Sequence, residues 1–218
     1  MVSIIVPVYQ ERNLNQFLKQ FENLKGEFEI IIVSGDNQNY DTLSFELFRC
    51  KKGRAAQMNY GVKHAKFDII WFLHADSKIE KNSILKIENF LKTNLLGAFK
   101  IKFDNDKFLM KICAFMSNLR LKLGGIAFGD QGMFMKKEIF YTLGGFREIE
   151  IMEDYDFSLR AKKKWFKFTN TNGTIMTSSR RFVSNRIIKT MIKMQLCRLM
   201  FKLGVKQEKI IRFYNANS

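Results

Sequence analysis

Short, strongly apolar segments alternate with segments of helical periodicity along the first half of this chain. Apolar runs rich in valine and isoleucine occupy residues 3–8, 28–33 and 68–73. Between them, in residues 14–24 and 55–65, apolar residues recur every three or four positions. Short apolar runs of this kind are typical of strands buried on both faces of a parallel sheet. The alternation predicts βαβ units and an α/β fold, with a mostly parallel sheet flanked by helices.

The second half predicts further elements that extend the same sheet. The alternating residues 97–103 predict a half-exposed strand, and an apolar stripe within residues 108–119 predicts a helix. A loop, a short strand and a helix are expected in residues 129–146, a further helix from residue 153, and one or two basic helices in residues 184–215. The chain has one proline and no linker composition. We therefore expect one domain in residues 1–183 and basic C-terminal helices in residues 184–218 that pack on it or extend it.

Polar residues follow three of the predicted strands at the point where each strand ends. These segments are Tyr9–Glu11, Ser34–Asp36 and His74–Asp76. The carboxyl ends of parallel strands share one edge of the sheet, where open α/β sheets bind their ligands. The sequence therefore predicts a binding crevice at this edge.

The charge balance is strongly basic. The 218 residues include 37 lysines and arginines against 21 acids, a formal net charge of +16. Such a surface attracts nucleic acid, anionic lipid or phosphorylated ligands, although a lysine-rich surface also serves solubility. The three widely spaced cysteines argue against a disulfide framework. The N-terminus is a poor signal peptide, and no apolar run reaches the length of a membrane span, so we expect a cytoplasmic protein.

The C-terminal segment carries basic and apolar residues in close alternation. Its basic residues are Arg186, Lys189, Lys193, Arg198 and Lys202. A segment of this composition can lie on an anionic membrane, at the inner face of the plasma membrane for a cytoplasmic protein. It can equally pack its apolar side on the domain and leave the lysines in solvent. The sequence leaves both arrangements open.

Several short segments carry side chains suited to chemistry on a phosphorylated ligand. His74 and Asp76 follow a buried strand, where a carboxylate would suit Mn²⁺ or Mg²⁺ if a diphosphate completed the site. Arg54 is predicted near a helix N-terminus, which suits a phosphate. The acids of the segment 152–156 include a candidate general base. Asp130 and Gln131 stand between glycines, where backbone can approach a ligand closely.

The ordered set of motifs resembles family 2 glycosyltransferases of the GT-A fold. The motifs are SIIVPVYQERN, VSGD, KGRAAQMNYG, FLHADS, GAFKIKF, FGDQGMFMKKEIFYTLGGF and IMEDYDFSLRAKK. The set is most similar to a small bacterial subfamily of radical-SAM/selenodomain-associated transferases. In this sequence Ser34 stands where the family usually has an acid after the second strand, and the acid comes at Asp36. The resemblance implies a Rossmann-like sheet, a nucleotide-diphosphate-sugar donor and a divalent metal.

The resemblance also implies roles for individual residues. Asp154, with Glu153 beside it, matches the catalytic base, and Asp76 matches the metal-binding acid, with His74 in place of the family's first acid. Asp130 and Gln131 fall in the acceptor-side segment. The residues implied in binding the nucleotide sugar are Pro7, Tyr9, Glu11, Asp36, Arg54, Asn59 and Asp76.

The resemblance implies an inverting, metal-dependent transfer of a sugar to an acceptor hydroxyl, and contact with a membrane would favour a lipid-linked acceptor. The alternatives are a nucleotidyltransferase, which shares the need for metal and nucleotide, and a sugar-nucleotide binder without activity. A nucleic-acid-binding module fits the net charge, but acids at the predicted ligand edge would repel a phosphate backbone. We therefore expect no nucleic-acid partner.

Overall fold

A seven-stranded sheet forms the centre of the protein. The computed structural model describes residues 1–182 and 187–216. The strand order is β3-β2-β1-β4-β6-β5-β7. Strand β6 is antiparallel to both of its neighbours, whereas the other neighbouring pairs are parallel, which confirms a mostly parallel sheet. The strands are β1 (Val2–Val8), β2 (Phe28–Ser34), β3 (Glu46–Arg49), β4 (Ile69–Phe72), β5 (Leu96–Phe103), β6 (Phe134–Lys136) and β7 (Thr169–Thr177).

Helices cover both faces of the sheet. In the described part of the chain, three short 3₁₀ helices, at Lys19–Asn23, Gly129–Gln131 and Arg180–Phe182, accompany the α-helices. The α-helices of the described residues are α1 (Leu14–Leu18), α2 (Arg54–His64), α3 (Ser83–Phe90), α4 (Phe108–Gly124), α5 (Lys137–Thr142), α6 (Glu153–Lys163), α7 (Ile187–Lys202) and α8 (Gln207–Asn215). The basic helices predicted at the C-terminus are thus α7 and α8, while the expected boundary between residues 183 and 184 and the side chain of Arg186 lie outside the described residues.

Two apolar layers, one on each face of the sheet, make up most of the core, and a smaller cluster of Met110, Phe182 and Ile187 lies between α4 and α7. Trp71 packs in the layer that includes α1 and α3, and the next residue, Phe72, packs in the layer that includes α2, α5 and α6. Ile4 and Ile5 of β1 divide between the same two layers and are fully buried. Successive side chains of a strand point to opposite faces, so a central strand covered on both sides must be apolar throughout. This is why the short apolar runs predicted the central strands.

Strand β7 and helix α3 are elements of the described residues that the sequence analysis did not predict. Strand β7 consists mostly of threonine and asparagine, and only its alternation of burial, with Thr171, Ile175 and Thr177 buried, marks it as a strand. Its Gly173 allows the close approach of Phe99, because a Cβ atom there would lie 2.4 Å from the ring. Helix α3 is the other such element. In both, the contacts with the sheet outweigh a weak local pattern.

The helix predicted after β1 is shorter than its apolar pattern indicates. Helix α1 ends at Leu18 and continues as the 3₁₀ helix at Lys19–Asn23. Asn13 precedes it, but its side chain makes no capping hydrogen bond to the helix. The apolar face is nevertheless used as expected, since Phe17, Leu18 and Phe21 are buried.

Candidate active site

A cleft of about 720 Å³ opens beside the end of β4. It lies between the loops that follow the sheet strands, the N-terminus of α6, and helices α4 and α7. Its acidic lining residues are Asp76, Asp130, Glu150, Glu153 and Asp154. Its arginines are Arg54, Arg120, Arg180 and Arg198. Both signs of charge therefore face one cavity.

The loop after β4 delivers the acid that the sequence predicted as a metal ligand. Asp76 lines the cleft, and its side chain is 32% exposed. One guanidinium nitrogen of Arg180, from the 3₁₀ helix after β7, lies 3.3 Å from the Asp76 Oδ2 atom. The Asp76 carboxylate thus faces the cavity and pairs with the long side chain of Arg180 rather than with the backbone of its own turn.

The donor set around Asp76 suits a cation that a ligand helps to hold. Among residues 1–182 and 187–216, no group of three or more histidine, cysteine or acidic side chains is placed to hold a metal ion. A single carboxylate beside an open cavity is nevertheless a fitting site for Mn²⁺ or Mg²⁺, which bind phosphates and keep several waters. His74 also lines the cleft, and its assignment as a ligand stays a prediction.

The candidate base lies at the N-terminus of α6. Asp154 accepts a hydrogen bond from the Gly129 N–H group at 2.7 Å through Oδ2, and one from the Tyr155 N–H group at 2.7 Å through Oδ1. A Cβ atom on Gly129 would lie 2.7 Å from His74 Nε2 and 3.4 Å from Asp154 Oδ2. Glycine at this position therefore lets three segments meet: the loop after β4, the Gly129–Gln131 helix and α6.

Arg54 and Glu153 form an ion pair at the back of the cleft. Arg54 is the first residue of α2, and its Nη1 atom lies 3.1 Å from Glu153 Oε1. The Glu153 side chain is only 3% exposed, whereas that of Arg54 is 37% exposed. Burial alone would lower the pKa of Arg54, but the negative charges of Glu153 and Asp154 outweigh it and raise that pKa. Arg54 therefore stays cationic where it lines the cleft.

The two residues of the predicted acceptor-side segment, Asp130 and Gln131, differ in where their side chains lie. Asp130 lines the cleft, whereas Gln131 is buried and accepts a hydrogen bond from Arg120 at 2.7 Å. The guanidinium of Arg120 also lies 3.8 Å from the centroid of the Phe128 ring. Burial lowers the pKa of Arg120 to about 10, although the charge of Asp130 acts in the opposite direction. Arg120 was not predicted as a site residue, and its sole signal was an arginine inside the apolar pattern of α4.

The loops after β1 and β2 form a separate polar cluster around Asp36. Its Oδ2 atom accepts hydrogen bonds from the Gln10 N–H group and, at 2.9 Å, from the Tyr40 hydroxyl. Its Oδ1 atom accepts one from the Gln38 N–H group at 2.9 Å. Partial burial would raise the pKa of Asp36, but these hydrogen bonds outweigh it and lower that pKa. Asp36 thus joins the two loops, and Ser34 adds a further hydrogen bond to the cluster at 3.1 Å.

The remaining predicted donor residues lie around this cluster or on α2. Tyr9 is 41% exposed, with the Lys52 ammonium 4.3 Å from its ring centroid. Glu11 accepts a hydrogen bond from the Asn13 N–H group at 3.1 Å. Pro7 lies in β1 beyond the last residue that pairs with β4, so its missing N–H group costs no bond to that strand.

Asn59 has a contact that sequence reasoning did not anticipate. Its side chain donates a hydrogen bond to the Phe146 carbonyl at 2.8 Å and accepts one from the Phe146 N–H group at 2.9 Å. Both polar ends of the amide are therefore used to hold the turn at Gly144 and Gly145, where φ is +75° and +65°. This contact links α2 to the segment that leads into α6 and its acids.

Solved structures of glycosyltransferases share this fold, and two of those compared with this chain contain a nucleotide sugar. A mannosyltransferase from Pyrobaculum calidifontis, PcManGT, in complex with GDP-Man and Mn²⁺, aligns with a TM-score of 0.67 at 16% identity, over 94% of this chain and 64% of that one. S. aureus TarS aligns with a TM-score of 0.60 at 17% identity, over 82% of this chain. TarS 1-349 in complex with UDP-GlcNAc aligns with a TM-score of 0.57 at 15% identity, also over 82%. The chain spans 35% of the TarS chain and 56% of the TarS 1-349 chain.

At the level of sequence, no curated protein matches the chain. The sequence model of glycosyl transferase family 2, in contrast, matches residues 3–144, which is well over half of the chain. This range runs from β1 to the turn that precedes α6 and includes the three polar segments after β1, β2 and β4. The chain therefore belongs to glycosyl transferase family 2 and has the fold of its glycosyltransferases.

Proposed function

We propose that the protein transfers a sugar from a nucleoside-diphosphate donor to an acceptor hydroxyl, with inversion at the anomeric carbon and with a divalent cation. One observation carries this proposal: Asp76, Asp154, Arg54 and Arg180 line the same cleft beside the end of β4. The neighbours solved with UDP-GlcNAc and with GDP-Man and Mn²⁺ support a nucleotide sugar as the class of donor.

The donor diphosphate would lie between Asp76 and the arginines. A diphosphate leaves poorly unless its developing charge is neutralised. Arg54 and Arg180 both reach the cleft and provide fixed and adjustable positive charge, respectively. Mn²⁺ or Mg²⁺ held by Asp76, with His74 as a second candidate ligand, would supply Lewis-acid stabilisation of the leaving phosphate when bound. Arg180 would then exchange Asp76 for a phosphate oxygen.

Asp154 is the proposed general base. Each of its oxygens accepts one backbone hydrogen bond, which fixes the plane of the carboxylate and leaves each oxygen further lone-pair capacity. From the α6 N-terminus the carboxylate would take the proton of the acceptor hydroxyl as that hydroxyl attacks the anomeric carbon. Attack opposite the leaving diphosphate inverts the configuration. Glu153 holds Arg54 beside this reaction rather than sharing the base role.

The nucleoside would lie toward the loops after β1 and β2. The exposed Tyr9 ring offers a face for a base, and Asp36 shapes the loop that would read it. Pro7 and Glu11 frame the same loop, while Asn59 acts from a distance by holding the turn before α6.

The acceptor would approach from the opposite side of the cleft, near Asp130. This side carries a group of apolar residues beside its arginines, because α4, α7 and their surroundings contribute Phe103, Met116, Phe182, Met191 and Met194 to the lining. An acceptor carried on a lipid would suit such a wall. The basic C-terminal segment also predicted peripheral contact with an anionic membrane. That contact depends on which side chains α7 and α8 expose. No described helix is both long and apolar enough to span a bilayer.

A panel of nucleotide sugars in a thermal-shift assay, with and without Mn²⁺, tests the proposal. We expect one donor to raise the melting temperature more with Mn²⁺ than without it, and Asp76→Ala to remove the difference. Product analysis then separates the alternatives, since released nucleoside diphosphate indicates glycosyl transfer and released pyrophosphate indicates nucleotidyl transfer. Stabilisation by a donor without any turnover would indicate an inactive binder.

A further inference from the structure

Helix α4 exposes a row of large apolar side chains to solvent. Its members recur every three or four residues and include Phe108 at 76%, Phe115 at 64% and Leu123 at 74% exposure, together with Ile112 and Met116. At about 100° per residue, these positions fall within roughly 100° of the helix circumference. The buried residues of the helix, Met110 and Leu121, lie on the other side. The row is therefore one continuous stripe that points away from the domain.

Helix α7 carries a second stripe of the same kind. The stripe comprises Ile188, Ile192, Leu196, Leu199 and, one residue past the helix end, Leu203, with exposures of 57%, 55%, 42%, 52% and 73%. The buried residues of α7, Ile187 and Cys197, lie on the opposite side of the helix. Helix α7 therefore packs one apolar side, with Ile187, Met191 and Met194, on the domain and exposes a second apolar side to solvent.

The two stripes border the cleft. Helices α4 and α7 contact each other, and each contributes lining residues next to its stripe. On α4, Met116 belongs both to the stripe and to the cleft wall. On α7, Gln195 lines the cleft directly beside Leu196 of the stripe. The exposed apolar residues of α4 and α7 thus form one surface around the cleft, which we call the α4/α7 surface.

The charges of the two helices have one sign. Residues 108–124 and 187–202 include no acid but contain three and four basic residues, respectively. Lys111 and Lys122 lie along one edge of the α4 stripe, and Lys189 and Lys202 lie along the two edges of the α7 stripe; all four are exposed. An exposed apolar surface edged by lysines is complementary to the interface of an anionic bilayer, where negatively charged head groups border the hydrocarbon.

We propose that the α4/α7 surface binds the interfacial region of an anionic lipid bilayer and presents the cleft to it. A second copy of this chain is a poorer occupant, because its own surface would bring the same positive charges against these lysines within a chain of net charge +16. Anionic lipid head groups complement the lysines, and acyl chains accept the leucine, isoleucine and phenylalanine side chains. This binding does not require that the protein transfer sugars.

Sedimentation of the full chain with vesicles tests the inference. The vesicles contain either phosphatidylcholine alone or equal parts of phosphatidylcholine and phosphatidylglycerol. We expect co-sedimentation with the anionic vesicles only. Replacing Ile192 and Leu199 together by serine should weaken binding at least about tenfold, because two apolar side chains then no longer enter the interface. Replacing Lys189 and Lys202 by glutamine should weaken it about 25-fold, since each basic residue near such a surface contributes about a factor of five.

A matched control removes the same kind of side chain elsewhere. Leu85 and Leu95 are 47% and 45% exposed and lie outside the α4/α7 surface, so replacing both by serine should leave vesicle binding unchanged. Circular dichroism confirms that each variant is folded. Three results would overturn the inference: no binding by the wild type, equal loss in the control, or a wild-type dimer in sedimentation velocity that the Ile192 and Leu199 changes dissociate. Because no donor is present, failure of the proposed transferase activity would not affect the outcome.

Discussion

Replacement of Arg54 by methionine removes the cation that lies beside the buried carboxylate of Glu153. The two charges are 3.1 Å apart. At an effective dielectric constant of about 20, their attraction amounts to about 5 kcal/mol, most of which offsets the desolvation of the charges. Breaking a fully buried pair costs about 3–5 kcal/mol. Because the Arg54 side chain is 37% exposed, solvent screening reduces this, and we expect Arg54→Met to lower the free energy of unfolding by about 2 kcal/mol.

The loss should also depend on pH. Without the guanidinium, the charged form of Glu153 is penalised in the folded state, whereas the unfolded chain ionises this carboxyl normally. Above the ordinary range of a glutamate, the unfolded variant therefore holds fewer protons than the folded one, and its stability falls as pH rises. Urea denaturation at pH 5 and pH 7.5 should show a larger deficit of the variant, relative to wild type, at the higher pH.

Two controls separate this ion pair from a general effect of losing an arginine. Arg147 is 3.1 Å from Asp156 but is 64% exposed, and Arg160 also pairs with that acid, so Arg147→Met should cost less than about 1 kcal/mol. Adding Glu153→Gln to Arg54→Met should recover part of the loss and remove its dependence on pH. An Arg54→Met variant as stable as wild type, or a deficit that is larger at pH 5, would show that Arg54 does not stabilise the charged form of Glu153.

The structure predicts the effects of three further substitutions. Gly97→Ala should lower the free energy of unfolding by about 1–3 kcal/mol, because its Cβ atom would lie 2.2 Å from the Phe134 ring. Gly124→Ala, with its nearest atom at 3.9 Å and a helical backbone, should not lower it in the same urea titration. The lowered pKa of Asp36 adds stability that is complete above the ordinary aspartate pKa of 3.8 and is lost as pH falls through the lowered pKa. Thermal melts of Asp36→Asn should lack this loss of stability in acid, and an acid profile identical to that of wild type would contradict the assignment. Arg180→Ala should leave the melting temperature nearly unchanged, because its ion pair is exposed, but should weaken nucleotide-sugar binding about tenfold in calorimetry; unaltered affinity would argue against contact with the phosphates.

The central sheet and the position of the site were predictable because they depend on patterns that are local in sequence. A strand covered on both faces must be apolar throughout, so β1, β2 and β4 stand out, and parallel pairing brings the residues that follow them to one edge. Strand β7 escaped prediction because its threonines and asparagines satisfy only an alternation of burial that the neighbouring β5 imposes.

Within the site, the position of a side chain was predictable where it follows from the residue's own segment. It was not predictable where it depends on a contact with another segment. Asp76 and Asp154 lie in the cleft because each stands at the end or the beginning of an element. The contacts of Asn59 with Phe146 and of Arg120 with Gln131 depend on packing between segments that are remote in sequence or in orientation. The exposure of the α4 and α7 stripes could not be predicted from the sequence either, since an apolar stripe on a helix normally indicates a buried face.

The anomeric configuration of the first product tests whether Asp154 acts as the base of an inverting transfer, because it reports from which side the acceptor attacks the sugar. The wild-type protein, incubated with Mn²⁺ and an α-linked nucleotide sugar that stabilises it, can be followed by proton NMR with water as the acceptor. We expect the β-anomer of the released sugar to appear before mutarotation, and we expect Asp154→Asn to lose this signal while still binding the donor. Initial release of the α-anomer, or undiminished turnover by Asp154→Asn, would contradict this role of Asp154.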